Sequence, residues 1–168
     1  MVREGFRYGA ALGVAALGMG WLAGAWFALP LVALALFIMY FFRDPERQIP
    51  SDPSPVVVSP ADGRVLDIRD VEHEARPFRR ISIFLSVLDV HVNRAPIAGV
   101  IRDVRYSPGR FLVAWRAEAS TENERNTVTL EGPEGTVVFK QIAGILARRV
   151  VFWKKPGDRV ARGERVGL

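Results

Sequence analysis

The chain contains no cysteine and only two histidines, His73 and His91. The first absence excludes a disulfide framework and a thiolate zinc site. The second excludes a histidine-rich metal centre, because two isolated imidazoles with unlike neighbours do not make a ligand set, so no metal is expected. Lysine is scarce, present only at Lys140, Lys154 and Lys155, and the formal charge of +5 rests mostly on arginine. The arginines are scattered, without a basic helix or an aromatic-and-basic stripe, so nucleic acid is not the expected partner and a membrane surface is. No glycine-rich loop precedes a helix with nucleotide spacing. No Gly-x-Ser-x-Gly occurs, and no serine anywhere comes directly after a glycine.

The longest absence is of charge. Between Arg7 and Arg43 lie 35 uncharged residues, positions 8–42. One spanning helix needs about 20 residues for about 30 Å of hydrocarbon, so the run is too long for one upright crossing and short for two. It also exceeds the roughly 7–15 apolar residues of a cleaved signal peptide. Residues 1–42 are therefore expected to form a membrane anchor, transmembrane or re-entrant, built as a long tilted helix or a helical hairpin. Gly24 and Pro30 near the middle, with Trp21 and Trp26 beside them, favour a hairpin whose tip reaches a headgroup region. Gly9, Gly13, Gly20 and Gly24 would let its arms approach closely. Arginines at both ends (Arg3 and Arg7; Arg43 and Arg47) place both ends on the cytoplasmic side of the cell (inner) membrane by the positive-inside rule.

Residues 43–55 read as a stiff linker, with Pro45, Pro50, Pro53 and Pro55. Residues 56–168 read as a mostly β domain, a compact barrel or sandwich. Strand-like runs at Val56–Ser59, Arg64–Ile68, Arg80–Val92, Val100–Tyr106, Asn126–Leu130, Thr136–Ile142, Ile145–Trp153 and Arg159–Leu168 are separated by turn chemistry. The turns are clearest at Pro60-Ala61-Asp62-Gly63, at 131–135 and at Lys155-Pro156-Gly157-Asp158. Glu118–Asn126 alone reads as helical.

Chemistry concentrates where the run from Arg80 ends. Read as a strand, one face carries Ile81, Ile83, Leu85 and Val87, then Asp89, His91 and Asn93, passing from apolar to titratable side chains. A strand that simply emerges into solvent would show the same pattern. A histidine with a neighbouring carboxylate exchanges protons near neutral pH, which makes His91 and Asp89 candidate catalytic residues. Asp62 before Gly63 reads either as turn chemistry or as a carboxylate at the mouth of the same pocket. His73, in a charged loop, reads as solvent-exposed.

Gly135–Gly144 through Lys155–Leu168 is similar to the half-motif of biotinyl- and lipoyl-type sandwiches (barrel-sandwich hybrids), although none of the three lysines suits a swinging arm. Taken together, several motifs resemble the short, archaeal-type branch of the phosphatidylserine decarboxylases. They are Phe41-Phe42-Arg43-Asp44-Pro45-Glu46-Arg47, Ser59-Pro60-Ala61-Asp62-Gly63 and Asp89-Val90-His91-Val92-Asn93-Arg94-Ala95-Pro96. Further along come Tyr106-Ser107-Pro108-Gly109-Arg110-Phe111, Glu122-Asn123-Glu124-Arg125-Asn126, Gln141-Ile142-Ala143-Gly144 and Lys155-Pro156-Gly157-Asp158. Their order, rather than any single motif, carries the resemblance.

That resemblance implies a proenzyme that cuts itself at a Gly-Ser bond, here beyond Leu168, and converts the serine to a pyruvoyl group. The sequence is similar to the longer β chain, and the cofactor would sit on a separate short α chain. The implied reaction is decarboxylation of phosphatidylserine to phosphatidylethanolamine through a Schiff base, with the pyruvoyl carbonyl as electron sink. His91 would deliver the proton, oriented by Asp89 or a backbone group. Asp62 matches an aspartate of an Asp-His-Ser self-cleavage relay in the longer bacterial branch. The relay histidine's position holds Arg94 here, so either His91 serves both steps or processing takes another route. Arg94 and Asn93 are the implied substrate-binding residues. The implied partners are the α chain, the lipid, the bilayer and a second copy of the chain. An alternative from another class is a non-catalytic membrane-anchored, lipoyl-like adaptor or carrier with an inert His91. A third reading is a related pyruvoyl enzyme acting on another headgroup.

Overall fold

A computed structural model describes residues 1–50, 56–73, 76–113, 116 and 118–168. Pro53 and Pro55 of the expected linker, and the side chain of His73, lie outside the described residues. The chain forms two compact units: Met1–Glu46 with Ser86–His91, and Arg47–Leu85 with Val92–Leu168.

In the first unit the uncharged run becomes two helices, α1 (Arg3–Ala23) and α2 (Ala25–Phe41). The single long tilted helix is excluded because Gly24, at φ +100°, breaks the run. A left-handed value of this kind costs glycine little and any residue with a Cβ much more. Pro30 lies in the second turn of α2, and the helix continues past it to Phe41. The helices pack through small residues. A Cβ on Gly5 would collide with the Phe42 side chain, and one on Gly9 would lie 2.8 Å from Met39 Cγ. Of the glycines expected to line the seam, Gly9 and Gly20 do so, whereas Gly13 and Gly24 have open space around them. No helix among the described residues is long and apolar enough to cross a membrane, so the expected transmembrane segment is not found among them.

The second unit is β-rich. Strands β1 (Arg64–His73) and β2 (Arg76–Phe84) form an antiparallel ribbon. Strand β3 (Asn93–Arg94) comes next, then β4 (Gly99–Ser107), helix α3 (Ala119–Glu122), β5 (Arg125–Gly132) and β6 (Gly135–Ile142). With β7 (Arg159–Val160), the strands β4, β5 and β6 make an antiparallel sheet of order β6-β5-β4-β7. Strand β3 pairs with β8 (Arg165–Gly167) in a separate two-stranded sheet. The turn between β7 and β8 therefore carries the chain from one sheet to the other, and Val160 and Val166 on either side of it are buried. They join Ala95, Ile97, Ile101, Val128, Leu130 and Phe139 in one core. Burying side chains of this size contributes about 1.5–3 kcal/mol each, which is what fixes the alternation of β5 toward the core.

Three expectations need correction. Val56–Ser59 and Ile145–Trp153 are not strands; the first makes one ladder-like bond, Val58 N–H to Pro96 O at 2.9 Å, and the second a single bridge from Phe152 to Gly167. The expected helix at Glu118–Asn126 shortens to one turn, because the Asn123 side chain bonds to loop backbone instead. Asn123 Nδ2 donates to Leu112 O and Ala143 O, and its Oδ1 accepts from Leu112 N–H, all at 2.8–2.9 Å. The Tyr106–Phe111 and Glu122–Asn126 motifs meet there: Glu124 N–H donates to Arg110 O at 3.0 Å, and Arg110 N–H donates to Glu122 O at 2.8 Å.

Candidate active site

The strand expected to run from Arg80 into the titratable residues ends at Phe84. Beyond it the chain turns, and the cause is local. The Asp89 carboxylate accepts the Ser86 N–H at 2.7 Å, and the Asp89 N–H returns to Ser86 O at 3.0 Å. A short acidic side chain that captures a nearby backbone amide competes with the sheet ladder. Asp89 and His91 are consequently loop residues of the first unit, and Asn93 and Arg94 are strand residues of the second. The shared strand face is overturned.

Within the loop, His91 Nδ1 lies 3.0 Å from the Asp89 backbone carbonyl. A carbonyl only accepts, so Nδ1 carries the hydrogen and Nε2 is left as the lone pair of the neutral ring. The backbone group, not the Asp89 carboxylate, orients the imidazole. Hydrogen bonds from Ser86, its backbone amide first, hold the Asp89 carboxyl below the usual range. The His91 ring packs on Phe41, with centroids 4.2 Å apart and planes tilted by 31°. Burial pushes the imidazole below its ordinary value, and the Arg43 charge adds to this, opposed by the Asp89 carbonyl and carboxylate.

In the β-rich unit, Asp62 is ion-paired with Arg47, and both are substantially exposed. Gly63 has φ +128° and its missing Cβ would meet Phe84 O, so the Asp-Gly pair is needed as a turn whatever else it does. That turn adjoins β3 through Arg94 N–H to Pro60 O at 2.8 Å. Arg94 Nη1 donates to Gly163 O at 2.9 Å, across the β7–β8 turn. Asn93 Oδ1 accepts from Gln141 Nε2 at 2.8 Å, and the same Nε2 donates to Val151 O at 3.1 Å. With both carbonyl contacts on nitrogen, Gln141 Oε1 is buried with no partner among the described residues. Lys154 is held by Glu164 at 2.5 Å.

Three residues near these groups escaped sequence reasoning: Phe41, Arg43 and Gln141. All stand in motifs that carry the family resemblance, but no periodicity tied Phe41 or Arg43 to His91, because that contact spans the chain from residue 41 to residue 91 through a loop.

A profile of the family described as phosphatidylserine decarboxylase matches residues 34–168. The chain belongs to the phosphatidylserine decarboxylase family. Its full length is 56% identical over 168 residues to a protein named phosphatidylserine decarboxylase proenzyme from Solibacter usitatus, covering 79% of that protein. Proteins of the same name from Symbiobacterium thermophilum and Carboxydothermus hydrogenoformans are 49% and 45% identical over the whole chain, again covering 79% of each. Membership makes this chain an enzyme of the decarboxylase class.

Proposed function

We propose that this chain is the larger subunit of a self-processed, pyruvoyl-dependent enzyme that decarboxylates phosphatidylserine to phosphatidylethanolamine. The observation that carries the reading is the His91 loop, in which a half-buried imidazole is fixed by the Asp89 carbonyl with Nε2 left for proton transfer. The relatives' printed name, proenzyme, supports a chain pair.

The pyruvoyl group would come from a serine of the separate α chain. When present, its carbonyl condenses with the substrate amine and withdraws the electron pair released as carbon dioxide leaves. The β-rich unit offers groups complementary to a keto-amide. Asn93, whose Oδ1 is engaged by Gln141, would offer its Nδ2 hydrogens to a carbonyl oxygen of the group. The unpartnered Gln141 Oε1 suits an amide N–H. These two residues would hold the group. Arg94, its guanidinium anchored on Gly163 O, would meet the substrate's carboxylate or phosphate.

His91 does the proton work. Burial favours its neutral form, so Nε2 can accept a proton from the substrate ammonium and free the amine to attack. The same Nε2–H then returns the proton to the carbon that loses carbon dioxide. One proton is taken and one is given back. Asp62, ion-paired with Arg47, remains the candidate partner for self-cleavage.

The helical hairpin would dip into the bilayer and return on the same side, with the β-rich unit on the cytoplasmic face. The uncharged part of α1 spans about 24 Å and α2 about 26 Å at about 1.5 Å per residue, both less than a bilayer core. Trp21 and Trp26 flank the Gly24 break at 86% and 83% exposure, as interfacial tryptophans do. The β7–β8 crossover and its Gly163 turn are what support kinship with lipoyl-type sandwiches. The carrier alternative gains nothing, since Lys154 is ion-paired and Lys140, though exposed, lies inside strand β6 and not at a hairpin tip.

The test is decarboxylation of phosphatidylserine by the processed enzyme and by His91→Ala, alongside intact mass spectrometry with and without borohydride. General acid–base catalysis contributes about 10²–10⁴-fold, so a loss of that size is expected, with a reducible, blocked α chain. Full activity in His91→Ala would remove His91 from the chemistry.

A further inference from the structure

Proton transfer by His91 requires that the loop carrying it be held in place. Ser86–His91 belongs to the same compact unit as the two helices. Its attachments come from the end of α2. Arg43 Nη2 donates to Leu88 O at 2.6 Å and Nη1 to Tyr40 O at 3.0 Å, while the guanidinium lies 3.9 Å above the Tyr40 ring. Tyr40 Oη also reaches Leu88 O, at 3.4 Å. One planar cation thus ties a carbonyl at the C-terminus of α2, where helical carbonyls lack partners, to the loop carbonyl three residues before His91. Phe41 supplies the second attachment by packing on the imidazole itself.

We propose that Phe41 and Arg43 are positioning residues for proton transfer, clamping the His91 loop to α2 so that the hairpin is part of the catalytic scaffold as well as a lipid anchor. This rests on the proposed role of His91 in proton transfer. The charged groups facing the imidazole in this unit are Arg43 and Asp89. An ammonium at residue 43 cannot bridge two carbonyls and stack at once, so lysine is a poor substitute.

The experiment separates lipid access from catalysis by using a monomeric, short-chain phosphatidylserine that needs no bilayer. On that substrate Phe41→Ala and Arg43→Gln are expected to lower kcat by on the order of 10²-fold with little change in KM. The acid limb of kcat/KM should move to higher pH, because each change removes something that disfavours protonated His91. Phe41→Tyr should restore most of kcat, and Arg43→Lys should restore the limb but not kcat. If the Ala and Gln variants fail to fold or process, Arg43→Lys carries the test through its lowered kcat. Wild-type kcat and an unmoved limb in Phe41→Ala and Arg43→Gln, or wild-type kcat in Arg43→Lys, with His91→Ala inactive, would overturn the clamp and leave the role of His91 standing. An active His91→Ala would overturn both.

Discussion

The helical unit and the β-rich unit solve opposite packing problems. In the β-rich unit the large apolar side chains are inside: Ile97, Ile101, Val128, Leu130 and Val166 have no exposed surface. In the helical pair the buried residues are small, among them Gly5, Gly9, Ala16 and Ala35. Its large side chains point outward, with Leu17 at 77%, Leu22 at 76% and Phe27 at 65% exposure. A water-soluble helix pair would invert that arrangement, because burying apolar area is the main driving force in water. Small residues at the seam and large ones outside are what close packing in lipid selects. The contrast is what the proposed lipid-facing role of the helices predicts, with one unit suited to lipid and the other to water.

The comparison can be broken most severely in the β-rich core. Leu130→Ala removes a fully buried side chain and should cost about 2–5 kcal/mol, read as a lowered denaturant midpoint of the processed enzyme. The same truncation at Leu17 should leave the midpoint in detergent nearly unchanged, and equal losses at both sites would refute the two-solvent account. Asn123→Ala comes next. It strands Leu112 and Ala143 backbone groups and should cost about 1–3 kcal/mol, with the loss appearing as faster amide exchange at 110–112 and 143. Smaller again, Trp21→Ser with Trp26→Ser should weaken partition of the enzyme into anionic vesicles by about tenfold or more while leaving kcat on monomeric substrate intact. Unchanged flotation would argue against a tip in the headgroup region.

Much of this organisation was legible in the sequence, for identifiable reasons. The charge-free run, Gly24 and the flanking tryptophans marked two helices with a break, because a helix end and a left-handed glycine leave strong local signals. Strands β4, β5 and β6 kept their expected positions within one or two residues, since alternation and the Gly-Pro-Glu-Gly turn act locally. Those signals failed around Asp89. There the alternating pattern continued in the letters, but a side-chain-to-backbone bond to Ser86 ended the strand. His91 was singled out, yet its setting was misplaced: its neighbours are Phe41 and Arg43, a contact set by tertiary packing and invisible to any periodicity. Ile145–Trp153 misled for a related reason, because apolar residues near a sheet edge made only one bridge.

The smallest predicted effect concerns acid. Burial depresses the folded-state value of His91, while in the unfolded chain it returns to about 6.5. As pH falls the unfolded state therefore binds the proton first. The stability contributed by the neutral, buried ring is complete above about pH 6.5 and is lost as pH falls toward the depressed folded value. Asp89, held below the usual carboxylate range, stays ionised through that window and does not mask the change. Protection factors of the 86–91 amides should consequently drop between about pH 7.5 and about pH 5.5, while those of β5, whose core side chains do not titrate, hold steady. In His91→Gln the drop should vanish. Equal protection at both pH values in the wild type would mean that the loop releases His91 to solvent before it protonates, and the clamp at Phe41 would be looser than its 4.2 Å packing distance implies.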